Sequence, residues 1–233
     1  MSAPLHIGII GCSAEGAALC YRTICSEGAA FLGPHAHPEV TMHTPSLALY
    51  VAALEAGDLA AVGALMRRSA EILVAAGADF LISPDNTIHQ ALAFAGPMGR
   101  PFLGIADAAA DAAAERGLMR LGLLGTRWLV ASDVYPAAMA ARGIAVVRPD
   151  AAAIAEVDRI IMDELVPGRV LDASRRRCGE IIAGLGEGGC DGIILGCTEL
   201  PLLLPDKVAG LPMLDSTRLL ARAALARSVA AAG

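Results

Sequence analysis

Two separate segments of the 233-residue chain recur at nearly one offset. Gly8-Ile9-Ile10-Gly11 returns as Gly122-Leu123-Leu124-Gly125, a shift of 114, and the ten residues from Gly77 to Asn86 return as Gly189 to Thr198, a shift of 112. A common offset points to a duplicated half of roughly 110 residues, a normal small-domain length. The competing reading is that any two α/β units share a glycine, an apolar run and another glycine.

Each repeated segment contains a short apolar run that ends in small or polar residues. His6 to Ile10 runs into Gly11-Cys12-Ser13, Phe80 to Ile82 into Ser83-Pro84-Asp85-Asn86-Thr87, Leu121 to Leu124 into Gly125-Thr126, and Gly192 to Leu195 into Gly196-Cys197-Thr198-Glu199. Continuous apolar runs flanked by glycine suit strands buried on both faces of a parallel sheet. Between them lie Ala-rich stretches of helical length with acidic starts and glycine stops, such as Asp58 to Ala76, Asp107 to Arg116 and Asp150 to Leu165. The expectation is an α/β fold with mainly parallel sheets, a first domain of residues 1–98 plus about 212–233, and a second of residues 99–211.

Composition narrows the function. A net charge of −6 without a compensating basic run argues against nucleic acid, whose binding depends on phosphate neutralisation. The amino terminus lacks a basic region ahead of an apolar one, and uncharged stretches such as Val40 to Leu54 are too short and polar to span a bilayer, so a cytoplasmic chain is expected. Six cysteines at positions 12, 20, 25, 178, 190 and 197 form no CxxC pair and no Cys/His cluster of zinc spacing, so reduced thiols and no metal are expected. His35 and His37 have no third ligand nearby in sequence, and Gly8 to Gly16 lacks the GxGxxG spacing of a dinucleotide loop.

If the repeat is real, Asp85 and Cys197 are equivalent, each just past the carboxyl end of a strand, where open parallel sheets bind ligands. The two would then look at one another across a shared cleft. Two proton-transferring groups on opposite sides of a carbon acid are what a cofactor-free racemase needs. A thiol acts as base only as thiolate, which a helix N-terminus favours, and backbone N–H groups of Asn86, Thr87 and Thr198 would hold a substrate carboxylate. Cys197 could equally be a small buried hydrophobe.

These residues resemble the aspartate/glutamate racemase family. Gly196-Cys197-Thr198-Glu199-Leu200 resembles its second catalytic motif, and Asp85-Asn86-Thr87-Ile88-His89 its first, Cys-Asn-Thr-x-His. Gly11-Cys12-Ser13-Ala14-Glu15 is similar to the amino-terminal loop, and Gly122 to Arg127 and Asp163 to Arg169 match segments of the second half. The resemblance implies two Rossmann-like domains related by pseudo-two-fold symmetry, an active site in the interdomain cleft, no cofactor, a homodimer, and racemisation of a small amino or carboxylic acid. It carries over Cys197 and Asp85 as catalytic residues, and Asn86, Thr87, Thr198, Glu199, Ser13, Glu15 and Arg169 as substrate-binding residues.

Asp85 stands where the family has its first cysteine. A carboxylate and a thiolate in one cleft would repel and tend to share a proton, giving one acid and one base per state. An anionic Asp85 also disfavours a dicarboxylate lying against it. The distal group of such a substrate needs cationic donors. Arg169 and Arg127 are the candidates, with Pro167 competing for the Arg169 slot. Two alternatives stay open: a single-cysteine decarboxylase or cis-trans isomerase of the same superfamily, and a catalytically weakened protein that binds a small acid.

Overall fold

The computed structural model describes residues 3–230, which divide into two compact units, one ending at Ile105 and resuming at Thr217, the other spanning Ala106–Ser216. In the first, strands β1 (Ile7–Ile10), β2 (Val40–His43), β3 (Phe80–Ile82) and β4 (Phe102–Leu103) form a wholly parallel sheet in the order β2-β1-β3-β4. Helices α1 (Ala14–Leu32), α2 (Leu47–Glu55), α3 (Leu59–Ala75) and α4 (Leu92–Ala95) connect the strands, and a short 3₁₀ turn covers Thr87–Ala91. After α5 (Ile105–Glu115), the second unit places β5 (Arg120–Gly125), β6 (Ala145–Val147), β7 (Gly192–Gly196), β8 (Lys207–Val208) and β9 (Leu211–Asp215) in the order β6-β5-β7-β9-β8. Only the β8–β9 pair is antiparallel. Its helices are α6 (Arg127–Ala131), α7 (Val134–Ala140), α8 (Ala151–Arg159), α9 (Asp172–Glu187) and α10 (Leu200–Leu203), with α11 (Ser216–Ala230) returning to the first unit.

The strand order is the same in both units apart from the added β8, and the register agrees with the repeat. Gly8 pairs with Leu81 in the first sheet and Gly122 with Ile193 in the second, positions related by the shifts of 114 and 112. The loop entering the third strand is braced identically. Asp79 N–H donates to the His6 carbonyl while His6 N–H donates to the Asp79 carboxylate; Asp191 and Arg120 repeat the exchange. Gly77 and Gly189 end α3 and α9 at φ of 95° and 87°, a left-handed turn that favours glycine.

Helix starts follow the expected chemistry. Asp58 Oδ1 accepts from Ala61 N–H at 2.9 Å, Asp150 Oδ1 from Ala153 N–H at 2.8 Å, and Ser13 Oγ from Gly16 N–H at 3.2 Å, each satisfying an orphan donor of the first turn. The apolar stretch from Asp150 forms α8 and continues through Leu165 as a π-helical turn, Ile160–Leu165. No helix among the described residues is long and apolar enough to cross a membrane.

The domain bounds differ from those read in the sequence. Residues 99–105 belong to the first unit because Phe102–Leu103 pairs with β3, and residues 212–216 belong to the second because β9 pairs with β7. Strands as short and half-buried as β2, β4 and β6 carry too few apolar residues to stand out from loops.

Gly8 and Gly122 admit the close approach of their neighbours. A Cβ on Gly8 would sit 2.9 Å from Ala78 Cβ and 2.7 Å from Leu81 Cδ2, whereas one on Gly122 would meet only the side-chain ends of Ile193 and Leu185, at 2.7 and 2.8 Å. Ala78 Cβ cannot rotate away, while terminal methyls can. Gly8→Ala is expected to lower stability in urea denaturation by about 1–3 kcal/mol, and Gly122→Ala by less. An equal or larger loss for Gly122→Ala would contradict this packing account.

Candidate functional site

In each unit the two central strands, β1 with β3 and β5 with β7, are neighbours whose connections leave in opposite directions. Loops at their carboxyl ends therefore form the crevice where such sheets bind ligands. In the first unit the loop after β1 is Gly11-Cys12-Ser13 and the loop after β3 is Ser83-Pro84-Asp85-Asn86. Ser83 Oγ donates to the Ile10 carbonyl at 2.8 Å and ties the two loops together.

The Asp85 carboxylate is 9% exposed and turned toward the amino end of α1. Its Oδ2 accepts from Cys12 N–H at 2.9 Å and Ser13 N–H at 3.1 Å, and Ser13 N–H also lies 3.2 Å from Oδ1. Backbone donors and the positive end of a 19-residue helix both stabilise an ionised carboxylate. Ser13 thus caps α1 with its side chain and holds Asp85 with its backbone. Glu15, one residue into the same helix, is exposed. Asn86 is buried at the head of the 3₁₀ turn and accepts from His89 N–H, while Thr87 is half-buried with its carbonyl taking a bond from Gln90 Nε2.

His89 fixes the peptide that carries Asp85. Its Nδ1 lies 2.8 Å from the Asp85 carbonyl, and Ile105 N–H donates to Nε2 at 3.2 Å. That network assigns the neutral ring with its proton on Nδ1. Burial pushes its pKa down to about 4, against the opposing pull of the Asp85 carbonyl.

In the second unit Cys197 follows β7 and is 8% exposed. Its Sγ donates to Glu199 Oε2 at 3.0 Å, and Thr198 Oγ1 donates to the same oxygen at 2.6 Å. Thr198 and Glu199 are both buried. Glu199 was expected to bind substrate; its carboxylate accepts the thiol, a contact between residues i and i+2 that spacing alone does not announce. The helix that follows, α10, is four residues long, so it offers the thiol little dipole.

The two candidate arginines differ in their partners. Arg127 Nη1 donates to Asp158 Oδ2 at 2.7 Å, and its guanidinium lies over Trp128, 4.1 Å from the ring centre. Arg169 is exposed beyond the π-helical turn, with its guanidinium on the Asp163 carbonyl and its N–H on the Glu164 carbonyl. Ser174 and Arg159 hold the buried Glu164 carboxyl below its ordinary pKa, which pins the turn. No group of three metal-ligating side chains occurs among the described residues.

Residues 7–224 match the profile of the Asp/Glu/hydantoin racemase family. The chain belongs to that family. A candidate Asp/Glu racemase from Yersinia pestis is 31% identical, with a TM-score of 0.87 over 97% of this chain and 99% of that one. An aspartate racemase homologue from Pyrococcus horikoshii is 26% identical, with a TM-score of 0.81 over 96% and 99%. A glutamate racemase from Francisella tularensis in complex with D-glutamate is 16% identical, with a TM-score of 0.66 over 94% and 79%, and shares the fold. As a member of the Asp/Glu/hydantoin racemase family, this chain combines the fold of its relatives with an aspartate at the first motif.

A neutral buried His89 makes stability depend on pH. Its pKa is lower in the folded than in the unfolded chain, so its contribution is complete above about pH 6.5 and declines as pH falls toward 4. The loss at pH 4 is about 3 kcal/mol from this group. In melts between pH 7 and 4.5, His89→Gln is expected to show a shallower fall in Tm than the parent; equal slopes would remove His89 as the cause.

Proposed function

We propose that the chain is a cofactor-independent racemase or epimerase acting at the α-carbon of an amino acid or related carboxylic acid. The observation that carries the reading is the buried Cys197–Glu199 pair, set at the strand end equivalent to that of Asp85. Glu199 draws the proton from Cys197 Sγ, and the thiolate so formed removes the α-proton. Asp85 serves the same α-carbon as the proton-transferring group of the first unit. Backbone N–H groups of Asn86, Thr87 and Thr198 are proposed to hold the substrate carboxylate, with Ser13 and Glu15 nearer its far end.

Family membership and the racemase relatives support the isomerase reading. Arg127 is already paired with the Asp158 carboxylate and Asp85 adds a negative charge, both of which disfavour the second carboxylate of aspartate or glutamate, while the exposed Arg169 rests on the Asp163 carbonyl. The proposed substrate is accordingly an amino acid with a neutral side chain in preference to a dicarboxylate. The homodimer is carried over from the family resemblance, and the cytoplasmic location from the amino terminus and the lack of a spanning stretch in the sequence.

Single enantiomers of amino acids incubated in D₂O with the purified protein test this reading. Racemisation with α-deuterium uptake is expected for at least one, and it should persist after treatment with reagents that trap carbonyl cofactors. Cys197→Ser should lower kcat by about 10²–10⁴-fold. Glu199→Gln, which keeps an acceptor but no base, should move the alkaline-favoured limb of the pH–rate profile to higher pH. Absence of racemisation and exchange with every amino acid would overturn the racemase reading.

A further inference from the structure

The chain passes out of the first unit after Ile105 and out of the second after Ser216. Each of these residues opens a helix, Ile105 α5 and Ser216 α11, and the two are related by a shift of 111, close to the offset of the repeat. Each is also hydrogen-bonded, inside its own unit, to the segment that carries the acid/base residue. In the second unit Ser216 Oγ donates to the carbonyl of Leu195 at 2.7 Å, two residues before Cys197. In the first, Ile105 N–H donates to His89 Nε2 at 3.2 Å, and His89 Nδ1 lies 2.8 Å from the Asp85 carbonyl it donates to.

The link in the first unit runs through a side chain because of how α5 begins. The first turn of a helix leaves its N–H groups without intrahelical partners, and the residue ahead of Ile105 is Gly104, which has no side-chain acceptor. His89 supplies the acceptor from 16 residues away. It is 6% exposed, with its ring tilted against that of Phe102 in β4, centroids 5.5 Å apart. A neutral imidazole donates from one nitrogen and accepts at the other, so one ring closes both bonds. Asp85 is thereby held at two points: its carboxylate by the N–H groups of Cys12 and Ser13, its carbonyl by His89. The first hold comes from the start of α1, and the second leads to the start of α5.

We propose that His89 is a positioning residue for the acid/base reaction, tying the Asp85 peptide to the point where the chain leaves the first unit, so that the backbone at Ile105 sets where the carboxylate stands. The assignment rests on the racemase reading above. In this role His89 moves no proton and acts through Asp85. Proton transfer needs the carboxylate oxygen within hydrogen-bonding reach of the reacting atom, and a misplacement of about 1 Å can cost about 100-fold in rate. Without His89, the carboxylate keeps its two N–H donors while the peptide that bears it loses its second hold. A residue that only filled space would be replaceable by any ring of the same size.

The test compares the parent chain with His89→Phe, His89→Asn and His89→Gln, by residue-resolved amide hydrogen exchange and by the kinetics of the amino acid turned over fastest. Phe keeps a ring against Phe102 and makes neither bond. Asn puts an N–H where Nδ1 stands and leaves Ile105 without its acceptor; Gln puts an oxygen where Nε2 stands and leaves the Asp85 carbonyl without its donor. In His89→Phe the Ile105, Cys12 and Ser13 amides are expected to exchange about 10-fold faster or more, with the amides of β7 at parental rates, and kcat to fall about 10-fold or more with KM within a few-fold. His89→Asn should restore the Cys12 and Ser13 amides and leave Ile105 fast, His89→Gln should do the reverse, and both should keep a lowered kcat because the link needs both bonds.

Parental kcat in any of the three variants overturns the assignment and leaves the racemase reading standing. Parental protection of Cys12 and Ser13 in His89→Phe overturns it as well. Faster exchange throughout β7 with a lowered Tm marks His89 as a packing residue, which also overturns it. A parent chain inert toward all amino acids overturns the racemase reading and the role in the reaction with it, while the amide exchange still reports whether His89 holds Asp85.

Discussion

Two backbone N–H groups, those of Cys12 and Ser13, reach the Asp85 carboxylate and organise the crevice of the first unit. They exist as donors because Ser13 begins α1, where the first turn of a helix leaves its N–H groups without intrahelical partners. They reach Asp85 because β1 and β3 lie side by side, with Gly8 allowing Leu81 and Ala78 to close up against the strand. His89 then anchors the same segment from the other direction by taking the Asp85 carbonyl and the Ile105 N–H. A charge placed this way is fixed by the backbone, so the side chain that bears it is less free to wander than one held by other side chains.

The second unit repeats the scaffold and changes the chemistry. Its central strands keep the register, the aspartate brace and the left-handed glycine, all of which serve packing and are independent of what is bound. The loops diverge. Arg127, the counterpart of Ser13, sends its N–H to Asp158 instead of to the residue after β7. Cys197 finds its partner within its own loop, in Glu199. Duplication thus preserved the framework that positions two loop ends and released the side chains on them, as expected where scaffold and site reside in different parts of a fold.

Much of this was legible in the residues. Apolar runs between glycines marked β1, β3, β5 and β7, the strands buried on both faces, and Asp58 and Asp150 marked two helix starts. Asp85 and Cys197 stood out because each follows such a run. Strands β4 and β9 were not legible, and the domain bounds moved with them. The two residues of β4 carry no period, the five of β9 are interrupted by Pro212, and the sheet membership of both comes from their partners.

The sequence by itself determined the duplicated α/β plan and the family, because strand periodicity, helix caps and short motifs are local and survive without knowledge of neighbours. Tertiary structure decided what each motif residue touches. It set the Cys197 thiol on the Glu199 carboxylate, bound Arg127 to Asp158, and brought the Cys12 backbone N–H to Asp85. Protonation, charge pairing and burial depend on atoms a few ångströms away in space, and those atoms are drawn from segments that only the folded chain brings together.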